Sequence, residues 1–233
     1  MTVHDIIQSF LWIVVTVACY FTGLGLRRIA RRNALANPVL VAIVLVAILL
    51  LATHTPYAGY FRATWLLTFL LAPATVALGV PLAKSFAHVR QSLRGVVMGL
   101  FAGSLTSMIS GVFLVRLLGG SKGVALSMLP KAATTPIAIL VTGQIGGQPA
   151  LTAALAIVGG IVAAITVRAV LSGISVTNGH AIGLAAGTAG SGIAAAHVAV
   201  LGDGPAAFAA IGIGLSGLLT ALLAPSVAAM FGF

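Results

Sequence analysis

Acidic side chains are almost absent from this sequence of 233 residues, in which Asp5 and Asp203 are the only two. All charged residues together make up 6% of the chain, whereas soluble domains carry about 25%. Apolar residues make up 60%, and they form runs long enough to cross a bilayer, which takes about 20 residues as a helix. The composition excludes a mainly water-soluble fold and predicts a membrane-embedded chain.

Several groupings that carry chemistry are also missing. Cys19 is the only cysteine, so neither an internal disulfide nor a cysteine metal cluster can form, and we expect no metal or other cofactor. The sequence contains no phosphate-binding P-loop. The stretch Gly214-Leu215-Ser216-Gly217 resembles the serine turn of intramembrane proteases, but no histidine follows it to act as a base. The sequence therefore predicts a protein that is not an enzyme.

The basic residues give the chain a formal charge of +10, and most of them lie in two short connections. One connection holds four arginines between Arg27 and Arg32, and the other holds Lys84, Arg90 and Arg94. Basic residues at the ends of apolar spans set orientation in a membrane. A nucleic-acid binder would need a solvated basic face, so we expect no nucleic-acid partner.

The apolar runs predict an all-α, polytopic transmembrane helix bundle of about eight segments. These segments lie at about residues 6–26, 38–52, 63–83, 93–118, 124–142, 150–171, 181–201 and 205–230. The first run ends in arginines and has no convincing cleavage site, so we interpret it as a retained helix rather than a signal peptide. We predict a single domain, in which residues 1–62 supply the first two helices and residues 63–233 form the core.

Two or three of the segments are expected to be discontinuous. Pro73 and Pro81 interrupt the third segment, and Pro130 and Pro136 interrupt the fifth. Each interrupted segment precedes a long apolar helix, which suggests an internal repeat. Interrupted helices in corresponding positions are the best sequence indication of a secondary transporter's binding site.

Lys131 has apolar sequence on both sides, and a charge at membrane depth costs at least about 2.5 kcal/mol on insertion scales. Pro130 and Pro136 remove backbone donors around it, while Thr134 and Thr135 add hydroxyl groups. Free backbone groups at this depth survive where they line a cavity or are buried in protein. The pattern predicts an anion site; the alternative is an interfacial lysine beside an ordinary kinked helix.

Two further stretches share these features. The third segment carries Pro73 and Thr75 without a charge, and we predict that it faces the fifth segment across the site. The seventh segment contains Gly187–Gly192, a run that permits either close helix packing or an unwound stretch. His197 follows this run, and its near-neutral pKa suits a proton relay. The alternative for each stretch is a structural role.

The glycines Gly95, Gly99 and Gly103 recur every four residues, a spacing that lets two helices approach closely. We interpret this stripe as packing within the bundle or with a partner, and not as chemistry. Asp203 lies between two glycines just before Pro205, so a solvated helix start is the better interpretation for this acid.

Four strings in these segments carry a resemblance to the LrgB/CidB family of membrane proteins. They are Leu70–Lys84, Ser127–Ile139, Ile145–Ala153 and Gly183–Gly202. The resemblance covers most of the chain from about residue 60, while the first two helices match only in character. One departure lies in the seventh segment, where Ser191 stands at the family's histidine position and His197 at its basic position.

The resemblance implies a function that composition does not show. Members of the family are described as antiholin-like proteins that affect murein hydrolase activity and cell lysis, often beside a small membrane partner of the LrgA/CidA type. Plastid relatives are similar to fusions of the two and move glycolate and glycerate, and some bacterial pairs are implicated in pyruvate movement. Small 2-oxo and 2-hydroxy acids are the implied substrates.

The leading hypothesis is a proton-coupled secondary transporter of small monocarboxylates of the pyruvate, glycolate, glycerate or lactate type. The predicted substrate-binding residues are Pro73, Thr75, Pro130, Lys131, Thr134, Thr135, Pro136, Thr188 and Ser191, with His197 as a proton relay. The alternative is a holin-like or antiholin-like regulator of murein hydrolases, acting as an oligomer or as one subunit of an LrgA/LrgB-type pair. In each case we expect a multi-pass, homo-oligomeric protein of the bacterial cytoplasmic membrane in contact with lipid.

Overall fold

A computed structural model describes residues 3–29, 38–77 and 92–233 of the chain. Within these ranges the backbone forms helices and turns and no strand, which confirms the all-α prediction. The chain divides into two compact units, residues 1–76 and residues 77–233. The interpretation of the whole chain as one domain stays a prediction.

The described residues of the first unit form four helices: α1 (Val3–Ile29), α2 (Pro38–Ala52), α3 (Tyr57–Ala63) and α4 (Trp65–Ala77). Between α2 and α3 the chain bends by 120°, and His54 adopts a positive φ of 50° in this turn. Tyr60 of α3 packs edge-on against Trp12 of α1 with ring centroids 5.4 Å apart. Its hydroxyl also lies 3.0 Å from the Thr16 hydroxyl, so an aromatic contact and a hydrogen bond together hold α3 against α1.

In residues 92–233, the described part of the second unit, two short helices lie among four long ones. Its helices are α5 (Leu93–Leu117), α6 (Lys122–Met128), α7 (Thr135–Ile145), α8 (Pro149–Gly173), α9 (Gly179–Val198) and α10 (Asp203–Met230), with a 3-10 turn at Ala199–Leu201. Pro136 and Pro149 lie in the first turns of α7 and α8, where a missing N–H costs nothing because those groups have no intrahelical partner.

Five of the described helices are long and apolar enough to cross a membrane: α1, α5, α8, α9 with its 3-10 turn, and α10. The bent pair of α2 and α3 adds a sixth if it counts as one span. Eight segments are therefore confirmed only in part. The fifth predicted segment is two short helices, and the third is described only as far as Ala77.

The predicted interruption at Pro73 is wrong for the described part of the third segment. α4 continues through this proline to Ala77. Proline is tolerated in apolar helices where neighbouring groups satisfy the backbone oxygen that it leaves free. The other predicted interruption in this segment, at Pro81, lies outside the described residues.

The outside of the second unit is apolar. Phe113, Val158, Leu218 and Leu222 each expose more than half of their side chains, at 57%, 58%, 56% and 64%. In a soluble protein such a surface would mark an interaction site or a liability. With the span-length helices beneath it, this surface identifies a multi-pass membrane protein whose outer face contacts lipid.

The closest helix pair in the second unit is α9 and α10, and glycines allow it. A Cβ atom at Gly187 would lie 2.1 Å from the carbonyl oxygen of Ala209, and one at Gly183 would lie 2.2 Å from that of Pro205. Without a hydrophobic driving force between helices in lipid, small residues at the contact gain stability through close backbone packing. The backbones of α9 and α10 are therefore in close contact along Gly183 and Gly187.

The glycine stripe of α5 is used within the bundle for two of its three members. Cβ atoms at Gly99 and Gly103 would lie 3.4 Å and 3.1 Å from the side chains of Leu184 and Thr188 on α9. A Cβ atom at Gly95 would meet nothing within 4 Å among the described residues. Gly99 and Gly103 therefore pack α5 against α9, and a contact of Gly95 with a partner stays a prediction.

Candidate functional site

The predicted break in the fifth segment is present between α6 and α7. The helix ends at Met128 and resumes at Thr135, and Ala133 N–H bonds the carbonyl oxygen of Pro130 in the intervening turn. Leu129 and Pro130 are both buried. The non-helical backbone is thus enclosed by protein, the condition under which irregular structure is tolerated at membrane depth.

Lys131 lies in this break, and its ammonium group points to α5. Nζ donates hydrogen bonds to two oxygens of Ser107, the carbonyl at 2.7 Å and the hydroxyl at 3.1 Å. Both acceptors are neutral, so within the described part of the chain these bonds solvate the charge without neutralising it. A lysine held in this way retains an attraction for an anion.

Two buried hydroxyl groups near Lys131 have no hydrogen-bond partner among the described residues, those of Ser104 and Thr134. Thr134 is the N-cap residue of α7, yet its side chain makes no capping bond. Ser104 is 3% exposed and lies about one helical turn before Ser107 on α5. Buried polar groups are nearly always paired in folded proteins, so these two unpaired hydroxyls are exceptions within the described part of the chain.

A cavity of about 430 Å³ lies against Lys131. Its other walls are residues of α8 between Gly159 and Leu171, together with Ala185 and Ala189 of α9. Lys131 is the one charged residue of this lining, and Thr166 is the one other polar residue. Concave, mostly apolar sites with a few placed polar groups are typical of small-molecule binding.

The seventh segment is also broken, as the glycine run permits. Ser191 has φ 49° and ψ −141° inside α9, a conformation that is essentially restricted to glycine and costs other residues about 1–3 kcal/mol. The preceding Gly190 is packed against α8, where a Cβ atom would lie 2.6 Å from Cβ of Ala163. The kink therefore lies next to the helix that forms the main cavity wall.

The remaining predicted residues of the second unit differ in what they offer a ligand. Thr135 and Pro136 are half-buried at the start of α7. Thr188 is buried, and its hydroxyl donates to the Leu184 carbonyl oxygen within α9, so that its proton is occupied. His197 is half-buried in the last turn of α9. Their roles in binding or proton transfer stay predictions.

Pro73 and Thr75 belong to α4 in the first unit. Pro73 is exposed, and the side chain of Thr75 lies outside the described residues. The prediction that this segment faces the fifth segment across the site stays a prediction.

The string Ile145–Ala153 has a structural role beside the break. Gly146 ends α7 in the left-handed conformation, with φ 81°. The hydroxyl of Thr152 donates to the Ser127 carbonyl oxygen at 3.0 Å and lies 2.8 Å from the hydroxyl of Thr142. All three of these residues are 0% exposed. This satisfied network ties α6, α7 and α8 together and holds the ends of the break in place.

Sequence reasoning missed three residues around Lys131: Ser104, Ser107 and Gly111, all on α5. A Cβ atom at Gly111 would lie 2.9 Å from Lys131 Nζ. The available signal was the presence of serines inside an apolar spanning helix, since polar groups there face the protein interior.

Comparison with known proteins identifies relatives that match nearly the whole chain. A family model described as LrgB-like matches residues 16–230, a range that includes every predicted site residue. Proteins named "Antiholin-like protein LrgB" from Bacillus cereus (strain B4264) and Bacillus anthracis (strain CDC 684 / NRRL 3495) are each 30% identical over 213 residues, covering 91% of this chain and 93% of the relative. No solved structure matches the chain.

Proposed function

This chain belongs to the LrgB-like family, and we propose that it is a secondary transporter of small monocarboxylates. The observation that carries the proposal is Lys131, a cation in a buried helix break that also lines a cavity of about 430 Å³. A chain with two acids and twelve basic residues suits an anionic cargo. Broken helices at the centre of a helical bundle are the usual place for a transporter's substrate site.

In this proposal Lys131 binds the carboxylate, since an ammonium group forms charge-assisted hydrogen bonds with it. Thr134 and Thr135 lie at the start of α7, where backbone N–H groups and the helix dipole also favour an anion. Pro130 and Pro136 keep the chain out of a continuous helix around them. The apolar lining from α8 and α9 accommodates the rest of a short acid such as pyruvate, glycolate, glycerate or lactate.

Alternating access needs a part of the site that moves. The kink at Ser191 supplies a bend in α9, one of the two helices that line the cavity with Lys131. Proton coupling through His197 is part of the same proposal. We place the protein in the bacterial cytoplasmic membrane, as a homo-oligomer that also pairs with an LrgA/CidA-type subunit.

The test is uptake of labelled pyruvate by proteoliposomes that contain only this chain, with an inward proton gradient. We expect saturable uptake that glycolate, glycerate or lactate competes. Lys131→Gln removes the cation and should lower uptake by at least about tenfold, since a hydrogen bond to a charged group contributes about 1.5–3 kcal/mol.

Lys122→Gln is the matched control, because this lysine is exposed at the start of α6. Its uptake should equal that of the parent. Equal uptake by Lys131→Gln and the parent would remove Lys131 from the site.

A second function is favoured by the names of the relatives, which are described as antiholin-like. In this alternative the chain regulates murein hydrolases and lysis through an oligomer or an LrgA-type partner, and the cavity carries no substrate. It predicts no saturable uptake.

A further inference from the structure

The resting partner of Lys131 is a single residue of another helix. Nζ donates to two oxygens of Ser107 on α5, the backbone carbonyl at 2.7 Å and the side-chain hydroxyl at 3.1 Å. Ser107 is half-buried and lies 24 residues before Lys131 in the chain. The contact therefore joins the helix break to a long spanning helix.

A glycine creates the room for this contact. A Cβ atom at Gly111 would lie 2.9 Å from Nζ of Lys131 and 3.0 Å from Cγ of Met128. The first distance is shorter than real Cβ contacts, so a larger residue at this position would force the ammonium group to move. Ser107 and Gly111 together form what we call the α5 seat of Lys131.

Lys131 also lines the cavity whose other walls are formed by residues of α8 and α9. The same ammonium group is thus within reach of two kinds of partner, the neutral oxygens of the seat and an anion in the cavity. A carboxylate attracts it more strongly, because charge-assisted hydrogen bonds between ions are stronger than those to neutral oxygens.

We propose that the α5 seat, Ser107 with Gly111, competes with the bound carboxylate for the ammonium group of Lys131 and so sets the affinity of the site. This inference rests on the proposed transport function. When the seat holds the ammonium group, only a fraction of molecules is ready to bind, and the apparent affinity falls by that fraction. Weakening the seat raises affinity.

The first arm of the test measures the seat without transport. The chain has three lysines, Lys84, Lys122 and Lys131, so acetylation by acetic anhydride can be followed at each by mass spectrometry of peptides. In Ser107→Ala and Gly111→Ala we expect Lys131 to react roughly three- to tenfold faster than in the parent, as the loss of one hydrogen bond of typical net strength implies. The rate at the exposed Lys122 should not change.

Matched controls on α5 separate the seat from general damage. Thr106→Ala removes the hydroxyl of an exposed neighbour of Ser107. Gly95→Ala adds a methyl group where nothing described lies within 4 Å. In both control variants acetic anhydride should acetylate Lys131 at the same rate as in the parent. If Lys131 is acetylated in Ser107→Ala and Gly111→Ala at the same rate as in the controls, the α5 seat does not hold the ammonium group and the proposal is wrong.

The second arm measures the KM of pyruvate uptake in proteoliposomes. The competition predicts a KM that is roughly three- to tenfold lower in Ser107→Ala, with Thr106→Ala unchanged. A higher KM in both seat variants would overturn the competition and make the seat a positioning device. Faster acetylation with unchanged KM would overturn it as well.

The two arms also separate this inference from the function on which it rests. If the parent takes up no acid and millimolar pyruvate leaves Lys131 acetylation unchanged, the transport proposal fails. The acetylation rates of the two seat variants then still decide whether Ser107 and Gly111 hold the ammonium group.

Discussion

At the scale of the residue, two positions in the second unit depart from what their sequence neighbours prefer. Lys131 is a charge in an apolar stretch, and its cost is reduced by the two oxygens of Ser107. Ser191 is a non-glycine residue in a backbone conformation that suits glycine. Local strain of this kind is retained where the surrounding structure fixes it, and it clusters at sites that bind or move.

Replacing Ser191 by glycine should stabilise the fold. The substitution relieves strain of about 1–3 kcal/mol and adds chain entropy to the unfolded state that costs about 0.5–1 kcal/mol. We therefore expect a net gain of about 1 kcal/mol, measured as a higher unfolding midpoint in detergent.

Ser110→Gly provides the comparison, because Ser110 is exposed in the regular helix α5. Its midpoint should fall, by an amount that reflects the lower helix propensity of glycine. A fall of the same size for Ser191→Gly would show that Ser191 is not strained.

At the scale of the element, helix packing in the second unit depends on glycines at particular contacts. The α9 and α10 pair meets at Gly183 and Gly187, where an added Cβ would collide with backbone oxygen. Backbone cannot move aside as a flexible side chain can. The two helices are therefore in close backbone contact at Gly183 and Gly187, while the break between α6 and α7 is held by the buried network around Thr152.

Adding a methyl group at the contact between α9 and α10 should push the two helices apart. In Gly187→Ala the new Cβ would lie 2.1 Å from the Ala209 oxygen, and overpacking of this kind costs about 1–3 kcal/mol. The unfolding midpoint should fall accordingly.

Gly143→Ala is the control, since a Cβ there meets nothing described within 4 Å. Alanine is the better helix former by about 1 kcal/mol, so this variant should be as stable as the parent or more stable. A Gly187→Ala protein with parental stability would contradict the close packing of α9 and α10.

At the scale of the whole molecule, the chain is a multi-pass membrane protein that presents apolar side chains to lipid and polar groups to its interior. The second unit has a cavity that is lined in part by the half-buried cation Lys131. A transporter and an oligomeric pore would use such a molecule differently. The first binds its cargo within one chain, whereas the second lets solutes pass without a saturable site.

Proteoliposomes that trap a dye too large for the cavity of about 430 Å³ distinguish the two. We expect the dye to be retained while pyruvate enters, because a transporter binds one small acid at a time at its substrate site and offers no continuous pore. Dye release at a rate that follows pyruvate entry would favour the holin-like alternative. Addition of an LrgA/CidA-type subunit to the same vesicles tests whether a partner changes either rate.

The sequence by itself determined that the chain lies in a membrane and that its fold is helical. Scarce acids, long apolar runs and basic connections leave a helical membrane protein as the stable solution, because backbone polar groups in lipid must be satisfied within helices. It also located the break around Lys131, since two prolines six residues apart remove the donors of a continuous helix. For the kink at Ser191, the glycines around it permit a bend but do not require one, so the sequence left close packing and an unwound stretch as alternatives.

Only the tertiary structure decided which groups meet at the site. The seat of Lys131 lies on a helix 24 residues earlier in the chain, and no local pattern relates Ser107 to that lysine. The structure also decided that Pro73 lies within a continuous α4, and that Gly99 and Gly103 pack against α9. Local sequence fixes where a helix can bend, but contacts between distant segments depend on how the helices pack, and packing is a property of the whole bundle.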